Sequence, residues 1–480
     1  MDKKLVQNYL YNVLYQMLVL ISPFITTPYL TRVMGAEALS INSWTANIVQ
    51  WFVLFGIMGV NTYGNKEIAK VRDDRQMVSR TFFEIFSMQF VSMLLSSIVF
   101  FLYVHLMGNA YYVYLMIQSI SLLSVSLDIT WFFFGVEDFK KASIRNMIVK
   151  IVGICMIFAF IKSPDDLMKF IFINASVGVC GQLIMWAQLK EYVHFVKVDL
   201  KGILKHVKPN IALFVPQIAI SVYSVLDMTM LGALYEDIRH VNFYEQAQKF
   251  VKMFLFFVTS IGSVMLPRVS HVYHQQKYDQ VERYLNKTLR FAIYMSIPMI
   301  FGISGMIQNF IDWFLPAEYA CVGNMIMYTS PIILFISLSN VFGTQFLVPT
   351  GRIRPYTISV VSGACLNFMI NLMLIPKLGA YGAIIGSVSA ELTVTLIQWF
   401  AIRKLISLKV GFMELAKIGA ASVLMFIPVR FLECLGTNIL VNLIQISAGV
   451  AVYAIVLLVL KADFVYEMIQ SLKDRRKVHA

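Results

Sequence analysis

Runs of roughly twenty uncharged or nearly uncharged residues recur from one end of this chain to the other. A helix of that length crosses the hydrocarbon core of a bilayer, where each backbone N–H and C=O must find its partner within the protein. Composition agrees. Of the 480 residues, 58% are hydrophobic and 14% are charged, and mean hydropathy is +0.70, whereas soluble domains carry about 25% charged residues. Helices are predicted at Leu10–Val33, Ile41–Tyr63, Phe82–Met107, Tyr112–Phe134, Met147–Ile161 and Phe170–Leu189. Six more follow at Asn210–Leu234, Phe250–Leu266, Leu289–Phe314, Gly323–Val348, Tyr356–Ile375 and Ala380–Ile402, then two at Leu415–Leu435 and Ile439–Leu460. The fold class is all-α integral membrane, with about fourteen transmembrane helices and no room for a separate soluble domain.

Loop charge sets the orientation. With the N-terminus inside, the segments facing the cytoplasm collect about 32 of the 40 basic residues. Lys66, Lys70, Arg72, Arg75 and Arg80 follow the second span, and Lys140, Lys141, Arg145 and Lys150 follow the fourth. Lys190 to Lys208 and Arg268 to Arg290 form further basic segments, followed by Arg352, Arg354, Arg403, Lys404, Lys409 and Lys417 and the tail Lys473, Arg475, Arg476 and Lys477. Removing any one span would invert every loop downstream, so both termini are expected in the cytoplasm. The same distribution accounts for the formal net charge of +13. Nucleic acid is excluded as a partner, because no basic, aromatic-bearing soluble module is present to dock it. The stretch after Met1-Asp2-Lys3-Lys4 carries Gln7, Asn8, Asn12 and Gln16, a poor signal-peptide core, and reads as a retained first helix.

Enzyme chemistry finds no foothold. Phosphate-loop, zinc-protease, nucleophile-elbow and calcium-loop patterns are all absent from the sequence. Cys155, Cys180, Cys321, Cys365 and Cys434 stand singly, which argues against disulfides and metal ligation. The histidines lie mostly in loops (His194, His206, His240, His271, His274) and read as solvated. The longest outside gap, at 235–249, is too short to fold alone. No cofactor is expected.

The chain repeats itself at roughly 200 residues, as many transporters do. Ile41-Asn42-Ser43-Trp44 resembles Val241-Asn242-Phe243-Tyr244, Lys66 has a counterpart in Arg268, and Gly178 with Gln182 sits like Gly386 with Ala390-Glu391. An even number of spans per unit makes this a parallel repeat. The expected organisation is an N-lobe at 1–208, a C-lobe at 209–410, and two appended helices with a cytoplasmic tail at 411–480. The two six-helix lobes would be pseudo-symmetric around a central cleft.

Charge within the membrane is costly, about 2.5–3.5 kcal/mol per central residue on insertion scales. Asp128, Asp227 and Glu391 fall inside predicted spans, and Lys249 and Lys252 share one face at the start of span eight. A cationic face suits a diphosphate; the plainer reading is that these charges pair with neighbours and hold helices together. Arg32, at the outer end of span one, either contributes to such a face or snorkels to the interface. Pro23 and Pro28 break span one, Pro216 breaks span seven and Pro331 breaks span ten. Spans one and seven are equivalent in the repeat, so each lobe would have a hinge-like first helix.

These residues resemble a known family. Pro28-Tyr29-Leu30-Thr31-Arg32-Val33-Met34-Gly35 is similar to the signature closing the first helix of bacterial polysaccharide-unit flippases. Gly59-Val60-Asn61-Thr62-Tyr63-Gly64-Asn65-Lys66-Glu67-Ile68-Ala69 resembles the segment after their second helix, with Lys66 where arginine is usual. Asp128-Ile129-Thr130-Trp131-Phe132-Phe133-Phe134-Gly135-Val136-Glu137, Tyr244-Glu245-Gln246-Ala247-Gln248-Lys249 and Leu266-Pro267-Arg268 are similarly placed. Ser40 stands where a glycine is frequent. The family is the Wzx-type branch of the multidrug/oligosaccharidyl-lipid/polysaccharide (MOP) exporter superfamily. The resemblance implies an oligosaccharide unit on undecaprenyl diphosphate as substrate, turned from the inner to the outer leaflet of the bacterial cytoplasmic membrane by an ion-coupled, monomeric carrier. Polymerases and glycosyltransferases of the same pathway would be its neighbours. On that reading Lys249, Lys252, Arg268, Arg32 and Lys66 are cationic binding candidates, and Asp128, Asp227 and Glu391 are coupling candidates. A drug exporter of the same superfamily is the alternative; its cavity should be acidic, against which Lys249 and Lys252 argue. A membrane glycosyltransferase or polymerase is disfavoured by the short outer loops.

Overall fold

A computed structural model describes residues 3–108, 110–407, 410–464 and 466. The expected basic residues Lys409, Lys473, Arg475, Arg476 and Lys477 lie outside them, as does the side chain of Pro216. Among the described residues the regular structure is entirely helical. It divides into two compact units, 1–242 and 243–480.

The first unit contains α1 (Lys3–Ile57), α2 (Val60–Val71), α3 (Arg75–Met107), α4 (Tyr112–Gln118), α5 (Ile120–Ser126), α6 (Thr130–Gly135), α7 (Phe139–Phe160), α8 (Leu167–Leu189) and α9 (Leu200–Leu234). Expected spans one and two are joined within α1 by a single break at Gly35, whose φ of 73° only glycine adopts without strain. The prolines expected to break span one do not: the helix runs on through Pro23 and Pro28. Proline 23 cannot donate to the carbonyl of Val19, and the hydroxyl of Ser22 covers that oxygen at 3.3 Å instead. α3 begins where the Asp74 side chain accepts from the N–H groups of Gln76 and Met77, at 2.9 and 3.1 Å. α9 packs on α1, α2 and α3, so the division follows Asn242, later than the lobe boundary expected at 208/209.

The second unit contains α10 (Arg239–His274, mostly within it), α11 (Tyr278–Phe314), α12 (Ala320–Thr329), α13 (Ile332–Ser339), a π-helix (Asn340–Leu347), α14 (Ile353–Leu378), α15 (Ala380–Ile402), α16 (Phe412–Phe431) and α17 (Ile439–Val459). α14 and α15 form a tight antiparallel pair, and α11 packs on α16 and α17. Span ten is interrupted at the expected Pro331, and further on by the π-helix. The gap expected at 235–249 shrinks to 235–238, because α10 begins at Arg239.

Eleven helical segments among the described residues are long and apolar enough to cross a membrane. The first, Leu14–Val71, holds two expected spans. Large apolar side chains face outward, as with Leu95 at 60% and Leu106 at 74% exposure on α3. A face of that kind belongs against lipid rather than water. The chain is a multi-pass membrane protein.

Candidate functional site

The two glycine-bearing motifs of the first half interlock. A Cβ on Gly64 would sit 2.4 Å from Trp131 Cε3, and one on Gly135 would sit 2.6 Å from Ile68 Cβ. Only glycine at both positions lets α2 and α6 approach this closely. Trp131, 1% exposed, anchors an aromatic core with Phe82, Phe132 and Phe133.

Behind that core, the expected span four is not one helix. It is interrupted between Ser126 and Thr130, and Asp128 sits in the break rather than in a helical span. Its Oδ1 accepts from the N–H and hydroxyl of Thr130, at 2.9 and 2.6 Å, a local turn that satisfies the carboxylate. Interrupted backbone at membrane depth needs partners, and Gln89 of α3 supplies them. Its Nε2 donates to the carbonyls of Val125, Ser126 and Asp128 at 3.2, 3.3 and 2.9 Å. Its Oε1 accepts from Trp131 Nε1 at 2.9 Å, while Trp186 Nε1 donates to the Leu127 carbonyl at 2.9 Å. Arg145, grouped with the loop cations by sequence, is 8% exposed in α7. Its Nε donates to the Gly181 carbonyl at 2.8 Å, and Asp128 and Tyr15 act on it electrostatically.

A second cluster was missed by sequence reasoning. Glu84 of α3 is fully buried and receives Arg80 Nε at 3.0 Å, Lys205 Nζ at 2.6 Å and His206 Nε2 at 3.1 Å. The other ring nitrogen of His206 meets the Tyr63 hydroxyl at 2.7 Å. His206 is therefore not solvated as expected, but 4% exposed. Burial, ahead of the neighbouring Lys205 charge, pulls its imidazole below the ordinary value even against the hydrogen bond it donates to Glu84. The available signal was a lone acidic residue, Glu84, in the otherwise uncharged stretch 81–100, together with the lysines at 201, 205 and 208 ahead of span seven. Nearby, Arg72 pairs with Glu137, whose φ is 59°, at a cavity of about 470 Å³ that Arg75, Glu191 and Tyr192 also line.

The remaining candidates are scattered within their own units. Arg32 is exposed and Nη1 donates to the Pro28 carbonyl at 3.0 Å; Lys66 is exposed on α2. Asp227 is buried in α9, at 2% exposure. In the second unit Lys249 is ion-paired with Glu245 at 2.7 Å, one turn away, while Lys252 and Arg268 are exposed on α10. Tyr244 Oη meets Ser387 Oγ of α15 at 2.9 Å and accepts from Gln248 Nε2 at 2.9 Å. Ser387 lies one turn before the buried Glu391. The motif around Tyr244 is thus a tie to the helix that carries Glu391.

Known proteins place this architecture. A "Putative O-antigen transporter" of Shigella dysenteriae is 25% identical over 387 residues, covering 79% of this chain and 96% of the relative. Another of the same name from Escherichia coli (strain K12) is 21% identical, covering 79% and 92%. Among solved structures, the lipid II flippase MurJ in an inward closed conformation shares the fold, with a TM-score of 0.70 at 16% identity over 97% of this chain and 100% of that one. The MatE family matches residues 212–373. These relatives are named as transporters and flippases, not as enzymes. The polysaccharide biosynthesis protein family matches residues 5–272, more than half of the chain, and the chain belongs to that family.

Proposed function

We propose that this protein is a flippase that turns an oligosaccharide unit, carried on undecaprenyl diphosphate, from the inner to the outer leaflet of the bacterial cytoplasmic membrane. The observation that carries the reading is its similarity to O-antigen transporters along almost their whole length, in a multi-pass fold shared with a lipid II flippase. Transport proceeds by alternating access, coupled to an ion gradient, in a monomer with fourteen spans and both termini in the cytoplasm. The lobes are 1–208 and 209–410, with 411–480 appended, and polymerase and glycosyltransferases of the pathway work beside it.

Lys249, Lys252, Arg268, Arg32 and Lys66 contribute cationic contacts for the diphosphate, since charge-assisted bonds to phosphate oxygens are among the stronger polar contacts. Lys249 exchanges Glu245 for phosphate when substrate arrives. Asp227 and Glu391, both buried, and Asp128 are the coupling groups, and Pro23, Pro28 and Pro216 let the first helix of each lobe bend. Deleting the gene should cause a lipid-linked oligosaccharide to accumulate on the cytoplasmic side, identified by its mass spectrum. Complementation with Lys252→Ala at normal membrane levels should leave that accumulation in place; full export by a Lys249→Ala/Lys252→Ala protein would remove both lysines from the binding site. The MatE match at 212–373 favours one second reading, export of small cationic drugs, which predicts drug sensitivity and no lipid-linked intermediate in the same strain.

A further inference from the structure

The first turns of α9 present two unlike faces. Gly202, His206 and Asn210, four residues apart and therefore aligned on one side of the helix, are buried, with His206 and Asn210 at 4% and 1% exposure. A Cβ on Gly202 would lie 2.4 Å from Glu84 Oε1, so glycine lets α9 press directly on the buried carboxylate. Lys205 and His206 then fasten the helix to Glu84. This inner face fixes the rotation of α9 about its axis. The outer face is consequently also fixed, and it carries Leu200 at 70% and Leu204 at 56% exposure, flanked by the exposed Lys201 and Lys208. Just upstream, Phe195 is 76% exposed and Lys197 is exposed.

We propose that residues 195–208 are a lipid-interface anchor that binds anionic phospholipid, with Phe195, Leu200 and Leu204 set among acyl chains and Lys197, Lys201 and Lys208 on headgroup phosphates. Three large apolar side chains interleaved with three lysines, immediately ahead of an expected span, match the two-part chemistry of an anionic leaflet: hydrocarbon below, phosphate at the surface. Water alone satisfies the lysines but not the apolar residues. Neutral lipid does the reverse. The assignment does not depend on which substrate is transported, because none of these residues belongs to the proposed binding or coupling groups.

The test uses the purified full-length protein in phosphatidylcholine nanodiscs titrated with phosphatidylglycerol, read by native mass spectrometry of bound lipid. Lys197→Gln/Lys201→Gln/Lys208→Gln should weaken phosphatidylglycerol binding by roughly tenfold or more, leaving the Lys205–Glu84 contact in place. Leu200→Ser/Leu204→Ser should weaken it as well, and serves if the lysine variant does not fold. Removing the same charge elsewhere, by Lys277→Gln/Arg283→Gln/Lys287→Gln, should leave wild-type binding. Equal losses in the two charge variants, or none in the first, would overturn the proposal. Glycerol 3-phosphate should not compete; competition by it would replace the lipid surface with a soluble anion site and equally overturn the anchor.

Discussion

At Gly64 the absent Cβ is what allows Trp131 to be buried, and the close contact of 2.4 Å has a measurable consequence. Gly64→Ala should lower stability in detergent by about 1–3 kcal/mol through overpacking. Gly419 of α16 has nothing within 4 Å of a Cβ built on it, so Gly419→Ala should be neutral or stabilising by up to about 1 kcal/mol. Thermal unfolding of the two variants in parallel reads the difference, and equal effects would contradict the packing assignment. His206 offers a pH test. Its folded-state pKa is lowered, so below the ordinary value the unfolded chain takes up this proton more readily than the folded one. Its contribution is therefore intact above that value and is lost as pH falls toward the folded pKa. Comparing melting at about pH 7.5 and about pH 5.5, wild type should lose more stability than His206→Gln, which keeps a donor toward Glu84 and an acceptor toward Tyr63. An equal loss in both would assign the acid sensitivity to other groups. Neither residue's role was legible in the sequence: Gly64 stood in a motif without its partner, and His206 stood among lysines, where solvent is the natural reading. Both environments are made by other helices.

Among the elements, hydropathy located the apolar segments well but not their interruptions. Span four reads as one continuous run, yet it is three short helices, α4, α5 and α6, and at the break between α5 and α6 Gln89 and Trp186 on other helices compensate the open carbonyls. Conversely Pro23 and Pro28 read as breaks, and α1 continues through them. Local sequence states where a backbone hydrogen bond is missing; only the tertiary neighbours decide whether the helix gives way. Gln89→Leu should therefore cost on the order of 3 kcal/mol, since several buried carbonyls and the Trp131 N–H lose their partner together. Asp128→Asn keeps an acceptor for Thr130 and should stay within about 1 kcal/mol of wild type. The pH dependence of transport by that folded variant separates the roles of Asp128: loss of the response supports coupling, and an unchanged profile leaves Asp128 as a turn-forming residue only.

For the molecule as a whole, the all-helical membrane fold and its family were legible because bilayer thickness imposes a length on every crossing and because the motif order is chain-wide. Contacts between helices divide the chain after Asn242, because α9 packs with the helices before it, whatever its place in the repeat. Reporter fusions at Ala480 and at Asn109 should fall in opposite compartments; a shared compartment would contradict the proposed fourteen crossings. The central claim is movement of lipid-linked sugar, and reconstitution measures it directly. Purified protein in liposomes, loaded in the inner leaflet with a fluorescent oligosaccharide on undecaprenyl diphosphate and given an ion gradient, should bring the sugar to the outer surface, where a lectin captures it. Protein-free liposomes and Lys252→Ala should not. Failure of the folded wild-type protein to expose this sugar, while it carries a small cationic drug across the same membrane, would contradict the flippase reading.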